Sequence, residues 1–455
     1  MLGYAIMHQP EATSSQPSIR PHESLVRVMG TLGLAAAIVN ITIGGGIFRL
    51  PANVAGSLGA AAPIAYLVCA VAMGLIVLCI ADAGSRVALT GGPYAYVGTA
   101  FGSYAGFISG VLLWMLGTFA AAAVSTVFAS SVGLLAPSLG GRGMEAVILL
   151  VTFGFWSFIN MRGVKLGVRL NSIATVAKLL PLLLIAIAGA FFVRPENLQW
   201  AATPAVADVT LTSLLLIFAF AGIEVALVPS GEIRDTARTV PRAIALAMLG
   251  ITALYIALQV VAQGILGSGL AQATVSPLAE AAGASLGAWA RTLLLVGATV
   301  SMFGYLGGMT LSMPRMLYAF ARDGFLPRQL ASVHPTFRSP QTAILAQALV
   351  TLALAISGTF EKLAILANVS ALALYLGCAL AAWRLRTLGV SSEGSVAFRV
   401  PLGHAIPWLA CAVIVWLLTG LTRDEWLAFA VCLTVGTLVY LGTRGRRAAP
   451  SAASA

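Results

Sequence analysis

Polar residues along this chain collect in short clusters, and between them run apolar stretches of about twenty residues, the length that crosses roughly 30 Å of hydrocarbon. The run "PIAYLVCAVAMGLIVLCIA" at 63–81 is typical: continuous, with no alternation of apolar and polar positions. Backbone groups in lipid must be satisfied within the protein, which leaves helices or a closed barrel, and a barrel needs alternating segments. The pattern therefore predicts an all-α integral membrane protein. Twelve spans are read, near 28–52, 61–85, 104–134, 143–160, 171–193, 209–230, 241–267, 287–320, 341–358, 361–385, 404–421 and 426–443. The third and eighth exceed what a span requires, so they tilt or extend beyond the bilayer. Residues 26–443 form the helical domain, flanked by polar tails at 1–25 and 444–455.

Composition sharpens this. Of 455 residues, 59% are apolar and 9% charged, against about 25% charged in soluble domains. The net charge of +11 could suggest a nucleic-acid partner, but its distribution excludes one. With the N-terminus placed in the cytoplasm, 19 of the 26 basic residues fall in inside segments. Only five fall outside: Arg142, Arg194, Arg291, Lys362 and Arg423. That bias over short loops puts both termini in the cytoplasm, with the protein in the cytoplasmic membrane. The tail at 1–25 has no apolar core, so it reads as disordered rather than as a signal peptide. Cys69, Cys79, Cys378, Cys411 and Cys432 all lie in apolar spans without metal spacing and read as small buried hydrophobes. His8, His22, His334 and His404 lie in the tail or connections, so no metal or other cofactor is implied.

Two interruptions stand out. The first span carries Gly44, Gly45 and Gly46 in succession, each costing a helix interior about 1 kcal/mol relative to Ala. The sixth carries Ala221-Gly222 next to Glu224, the one acidic residue deep within a span; its basic counterpart is Lys178 in the fifth. Intramembrane charges are functional candidates by default, although Glu224 could be a structural carboxyl bonded to a backbone carbonyl and Lys178 could snorkel. Asp82, near a helix end, reads as solvated. Interrupted helices at corresponding points of two halves mark transporters built from inverted repeats. At such breaks, freed N–H groups can bind an anionic group and freed carbonyls a cation.

These residues resemble the amino acid permeases of the amino acid–polyamine–organocation superfamily. Gly44-Gly45-Gly46-Ile47-Phe48 is similar to the family's first-helix signature, and Phe218-Ala219-Phe220-Ala221-Gly222-Ile223-Glu224 to its sixth-helix signature. "GEIRDTARTVPRAI" (231–244) and "PRMLYAFARDGFLP" (314–327) resemble two further family segments, and the likeness covers roughly 25–440. The resemblance implies a leucine-transporter-like 5+5 inverted repeat, with repeats at about 28–193 and 209–385 and helices 11 and 12 at about 404–443. It implies that a substrate carboxylate meets the amides of Gly44, Gly45 and Gly46. The ammonium would meet carbonyls around Ile41, Thr42, Phe218 and Ala221, beside Gly222, with Phe218 or Phe220 as an aromatic gate. Lys178 matches a lysine of sodium-independent members, and Glu224 a proton-sensitive carboxylate.

The sequence departs from the family at Gly45, where serine is commoner, and at Arg49, one turn beyond the break. Arg49 reads either as a solvated vestibule arginine or as an anchor for a substrate carboxylate. The expected function is secondary active amino acid transport by alternating access, independent of sodium and coupled to protons or to exchange. The alternatives are a polyamine or organic-cation permease and a transport-inactive sensor. No Walker-type G-x-x-x-x-G-K-[ST] motif occurs and no enzyme site is expected.

Overall fold

The computed structural model describes residues 30–87, 92–162, 179–200, 202–226, 236–337, 339–390, 398, 400 and 402–443. Every regular element among them is helical. The expected tails at 1–25 and 444–455, and Lys178, lie outside the described residues. Seven stretches are long and apolar enough to cross a membrane, and five further apolar helices are shorter.

The first expected span is two helices, α1 (Thr31–Thr42) and α2 (Gly46–Leu58). Then come α3 (Ala62–Arg86), α4 (Pro93–Phe101), α5 (Ser103–Leu135), α6 (Arg142–Arg162) and α7 (Leu179–Phe192). The sixth expected span is also divided, into α8 (Val206–Phe220) and the one-turn α9 (Ile223–Ala226). α10 (Thr236–Leu266), α11 (Pro277–Leu286), α12 (Ala288–Arg322), α13 (Gln341–Ser357) and α14 (Phe360–Thr387) follow, and α15 (Ala405–Leu418) and α16 (Arg423–Gly442) close the chain.

The sequence pattern did not single out α4 and α11, because neither is long enough to span. They stand in matching contexts: each runs into a long helix through one glycine, Gly102 (φ 90°, ψ 179°) before α5 and Gly287 (φ 92°, ψ 179°) before α12.

The core forms around α5, which lies against α4, α12, α13 and α14. Its small residues permit this closeness. A Cβ on Gly117 would sit 2.2 Å from Met313 Sδ. One polar cluster crosses the same seam and is internally satisfied: Trp114 Nε1 donates to Gln347 Oε1 (2.6 Å), and Gln347 Nε2 to Thr118 Oγ1 (3.0 Å). α16 lies at the periphery with Leu427, Val431, Val435 and Leu438 facing outward, as lipid contact requires.

The solvated reading of Asp82 is overturned. Asp82 is fully buried, and its carboxylate accepts from Arg86 Nε (3.0 Å) and from Arg386 Nε and Nη2 (3.2 and 2.8 Å). The physical reason is Arg386, which arrives from the end of α14 and supplies in three dimensions a counter-charge that local sequence does not reveal. Arg86 Nη1 also donates to Val390 O (3.1 Å).

Candidate functional site

The triple glycine stops α1 because nothing there holds helical geometry. Ile43 leaves the helix at ψ 80°, Gly44 N turns back to Thr42 O (2.8 Å), and the chain re-enters a helix at Gly46. The N–H groups of Gly45, Gly46 and Ile47 consequently find no acceptor among the described residues. They sit at the positive end of the α2 dipole, the place in a helix that favours an anion.

The second break has a different chemistry. Ala221 is extended (ψ 154°) and Gly222 takes φ 122°, a conformation that side chains resist. Gly222 N donates to Glu224 Oε1 (2.9 Å) instead of continuing the helix, and Tyr375 on α14 donates its hydroxyl to Glu224 Oε2 (2.7 Å). Glu224 is thus buried and held by two donors, not by the backbone carbonyl that a structural carboxyl acid would seek. Phe218 O, whose helical partner would have been Gly222 N, accepts no bond among the described residues, and neither does Ile41 O at the first break.

The two breaks meet. A Cβ placed on Gly222 would lie 2.9 Å from Ile41 Cγ2 and 3.3 Å from the Ile41 carbonyl carbon and oxygen. Between them is a cavity of about 30 Å³, room for no more than a water or two. Ile41, Thr42, Gly44, Gly45, Gly46, Phe218, Ala221, Gly222 and Glu224 all line it, so the structure brings together nearly every site residue the sequence singled out. Among the described candidates Phe220 is the exception: it turns away, fully buried against Tyr255 at 5.2 Å between ring centroids. Between the two aromatic gate candidates, only Phe218 lines the cavity.

The far wall comes from residues that sequence reasoning left in the core or passed over: Leu116, Gly117, Ala120 and Val124 on α5, and Tyr305 and Met309 on α12. At helical spacing in apolar runs, nothing distinguishes them from packing residues. A second cavity, of about 120 Å³, shares Ile41, Tyr305 and Met309 with the first and continues between α1 and α12 toward Asn40 and Ser312. Beside Phe218, side chains of α2 and α14 pack together. Phe218 meets Phe360 edge-on at 5.6 Å, and Arg49 lies 5.6 Å over the Phe360 ring while donating to Glu361 Oε1 (3.2 Å). Arg49 is therefore an ion-pair partner of α14, with 18% of its side chain exposed, and not a freely solvated arginine.

The model of the family described as Amino acid permease matches residues 29–422, nearly the whole helical region. The chain belongs to this family. The permease is 28% identical to the serine/threonine exchanger SteT of Bacillus subtilis, over 93% of this chain and 98% of that protein. It is 27% identical to the methylthioribose transporter of the same organism, over 92% of this chain and 93% of that one. The branched-chain amino acid permease BcaP, also of Bacillus subtilis, is 25% identical over 92% and 93%. The permease is thus a multi-pass membrane transporter, and its family is one of amino acid transport.

Proposed function

We propose that this permease is a secondary active transporter of neutral amino acids, working by alternating access around the two helix breaks. The observation that carries the reading is the convergence on one cavity of two N–H groups (Gly45, Gly46) and two carbonyls (Ile41, Phe218), one from each broken helix, that have no hydrogen-bond partner among the described residues. An α-amino acid has the matching pair of charges on one carbon. Its carboxylate would sit on the α2 amides, its ammonium on Ile41 O and Phe218 O, with the carbonyls of Thr42 and Ala221 beside them. Leu116, Ala120, Val124 and Met309 leave the side-chain end apolar, which fits a neutral substrate. A polyamine would need several carboxylates on its path; among the described residues the cavity has Glu224 alone, already held by Gly222 and Tyr375.

Twelve spans in a 5+5 inverted repeat suit this reading. The matched helix–glycine–helix junctions at Gly102 and Gly287 support it, as do breaks in the first span of each half. With both termini inside, as the loop charges indicate, the second cavity leads toward the cytoplasm. Phe218, Phe360 and the Arg49–Glu361 pair then close the outer path. Lys178, by resemblance, takes the place of a sodium ion, so transport is coupled to protons or to exchange.

The test is uptake into proteoliposomes from a panel of labelled amino acids with methylthioribose as a further arm. A Cβ at Gly45 would already lie 3.0 and 3.1 Å from the Val124 methyls. Gly45→Leu is therefore expected to abolish uptake at normal expression, since a ~1 Å misplacement in a site can cost ~10²-fold. Normal uptake by that variant would remove the site from this place. Uptake should persist with choline in place of sodium, and strict sodium dependence would overturn the Lys178 assignment. Glu224→Gln keeps the shape but has no carboxyl proton to exchange, so the pH profile of uptake is expected to change. An unaltered profile would leave Glu224 a structural role only.

A further inference from the structure

We propose that Tyr255 on α10 is a positioning residue of the substrate site. It caps the carbonyls that both breaks orphan, and so decides which carbonyls stay open for the ammonium of an amino acid. The inference rests on the reading of this cavity as an amino acid site.

A broken helix strands carbonyls, and a buried carbonyl without a donor is costly. Were α1 continuous, Thr42 O would accept from the amide four residues on, at Gly46; were α8 continuous, Ala219 O would accept from Ile223. Neither bond exists. The single Tyr255 O–H is shared between them, at 3.0 Å from Ala219 O and 3.4 Å from Thr42 O. One side chain on a third helix thereby ties the end of α1 to the end of α8. Tyr255 is fully buried and lines no part of the cavity, so its hydroxyl is not itself a substrate contact. Its ring is fixed edge-on against Phe220.

The consequence is selective. Thr42 O, already receiving Gly44 N, is filled by Tyr255, and Ala219 O is filled as well. Ile41 O and Phe218 O, both on residues that line the cavity, receive nothing among the described residues and stay open for an ammonium. One turn further along α10, Gln259 Nε2 donates to Pro51 O of α2 (3.4 Å) while its Oε1 accepts from Tyr66 (3.0 Å). α10 therefore holds both segments of the broken first span, and Tyr255 is the point where the second break joins them.

The experiment measures uptake kinetics and inhibition for wild type and Tyr255→Phe in proteoliposomes. The paired probes are L-leucine with 4-methylpentanoate and L-threonine with 3-hydroxybutanoate, each acid lacking only the ammonium. Tyr255→Phe keeps the ring against Phe220 and removes the cap. The expected result is a KM for the amino acid raised about tenfold, an unchanged maximal rate and an unchanged inhibition constant for the acid. Discrimination by the ammonium then collapses, which a loss of packing alone would not produce. An unchanged KM, a fall in maximal rate alone, or an equal shift for amino acid and acid would overturn the proposal.

Should the phenylalanine variant not fold, 4-aminophenylalanine at 255 keeps two N–H donors for the two carbonyls. It is expected to retain wild-type discrimination, and losing that discrimination would equally overturn the role. Wild type that takes up no amino acid fails the transport reading. Wild type that transports while Tyr255→Phe discriminates normally fails this inference alone.

Discussion

Gly222→Ala is expected to lose most transport, because it strikes the point where the two breaks touch. Two costs combine. At φ 122° a residue with a Cβ is strained by about 1–3 kcal/mol. That Cβ would also stand 2.9 Å from Ile41 Cγ2 and 3.3 Å from the Ile41 carbonyl carbon and oxygen. The side chain of Ile41 could rotate, but its backbone cannot yield without moving the carbonyl proposed to hold the ammonium. Either the second break unwinds and Glu224 loses its bond from Gly222 N, or the end of α1 shifts. Each outcome separates Ile41 O from Phe218 O. Uptake per folded molecule should fall by about tenfold or more, since each ~1.4 kcal/mol in the barrier is a factor of ten. Gly250→Ala is the control. Gly250 lies within α10 with nothing within 4 Å of an added Cβ, and alanine is there expected to be neutral or to stabilise by about 0.5–1 kcal/mol. Equal transport by the two variants would show that contact between the breaks is unimportant.

How much of this could be read from the chain depends on whether a residue's meaning is local. Gly44–Gly46 was legible because three glycines in an apolar run carry a local cost no lipid-facing helix would accept. Glu224 was legible because a lone carboxylate inside a span is costly wherever its partners lie. The residues that complete the site have no such signature. Tyr255 and Tyr375 sit in apolar helices where tyrosine passes for core, and their partners are 36 and 151 residues away. Tyr305 and Met309 likewise acquire meaning only when α12 comes to face α1. α4 and α11 escaped because a search for membrane-length runs ignores helices of nine and ten residues. Asp82 was misjudged for the reason that Arg49 was left open. In each case the deciding partner, Arg386 or Glu361, comes from α14, more than 300 residues on.

That dependence on α14 makes Asp82→Ala the substitution with the largest expected cost in stability. The two ion pairs of α14 are physically unlike. At one end, Arg49 and Glu361 share a single 3.2 Å bond, and 40% of the glutamate side chain is exposed; such pairs are worth roughly 0–1 kcal/mol and can open and close. At the other end, Asp82 is 0% exposed and takes three bonds from two arginines whose side chains are 12% and 14% exposed. Removing a shared buried partner leaves two poorly solvated guanidinium groups facing each other, a loss of about 3–5 kcal/mol. The purified variant should therefore melt well below wild type in detergent. Asp82→Asn, which retains an acceptor oxygen and the side-chain volume, should fall between them. Asp82→Ala with Arg386→Met should be less damaged than the sum of its parts, because the second change removes the charge the first exposed. Strict additivity would mean that the arginines find water or other acceptors once the carboxylate is gone. Arg386 is held by a buried carboxylate and Glu361 by one partly exposed bond, so α14 is tied more weakly at Phe360 and Glu361 than at Arg386. This asymmetry is what a helix needs if it is to uncover Phe218 without losing its seat on α3.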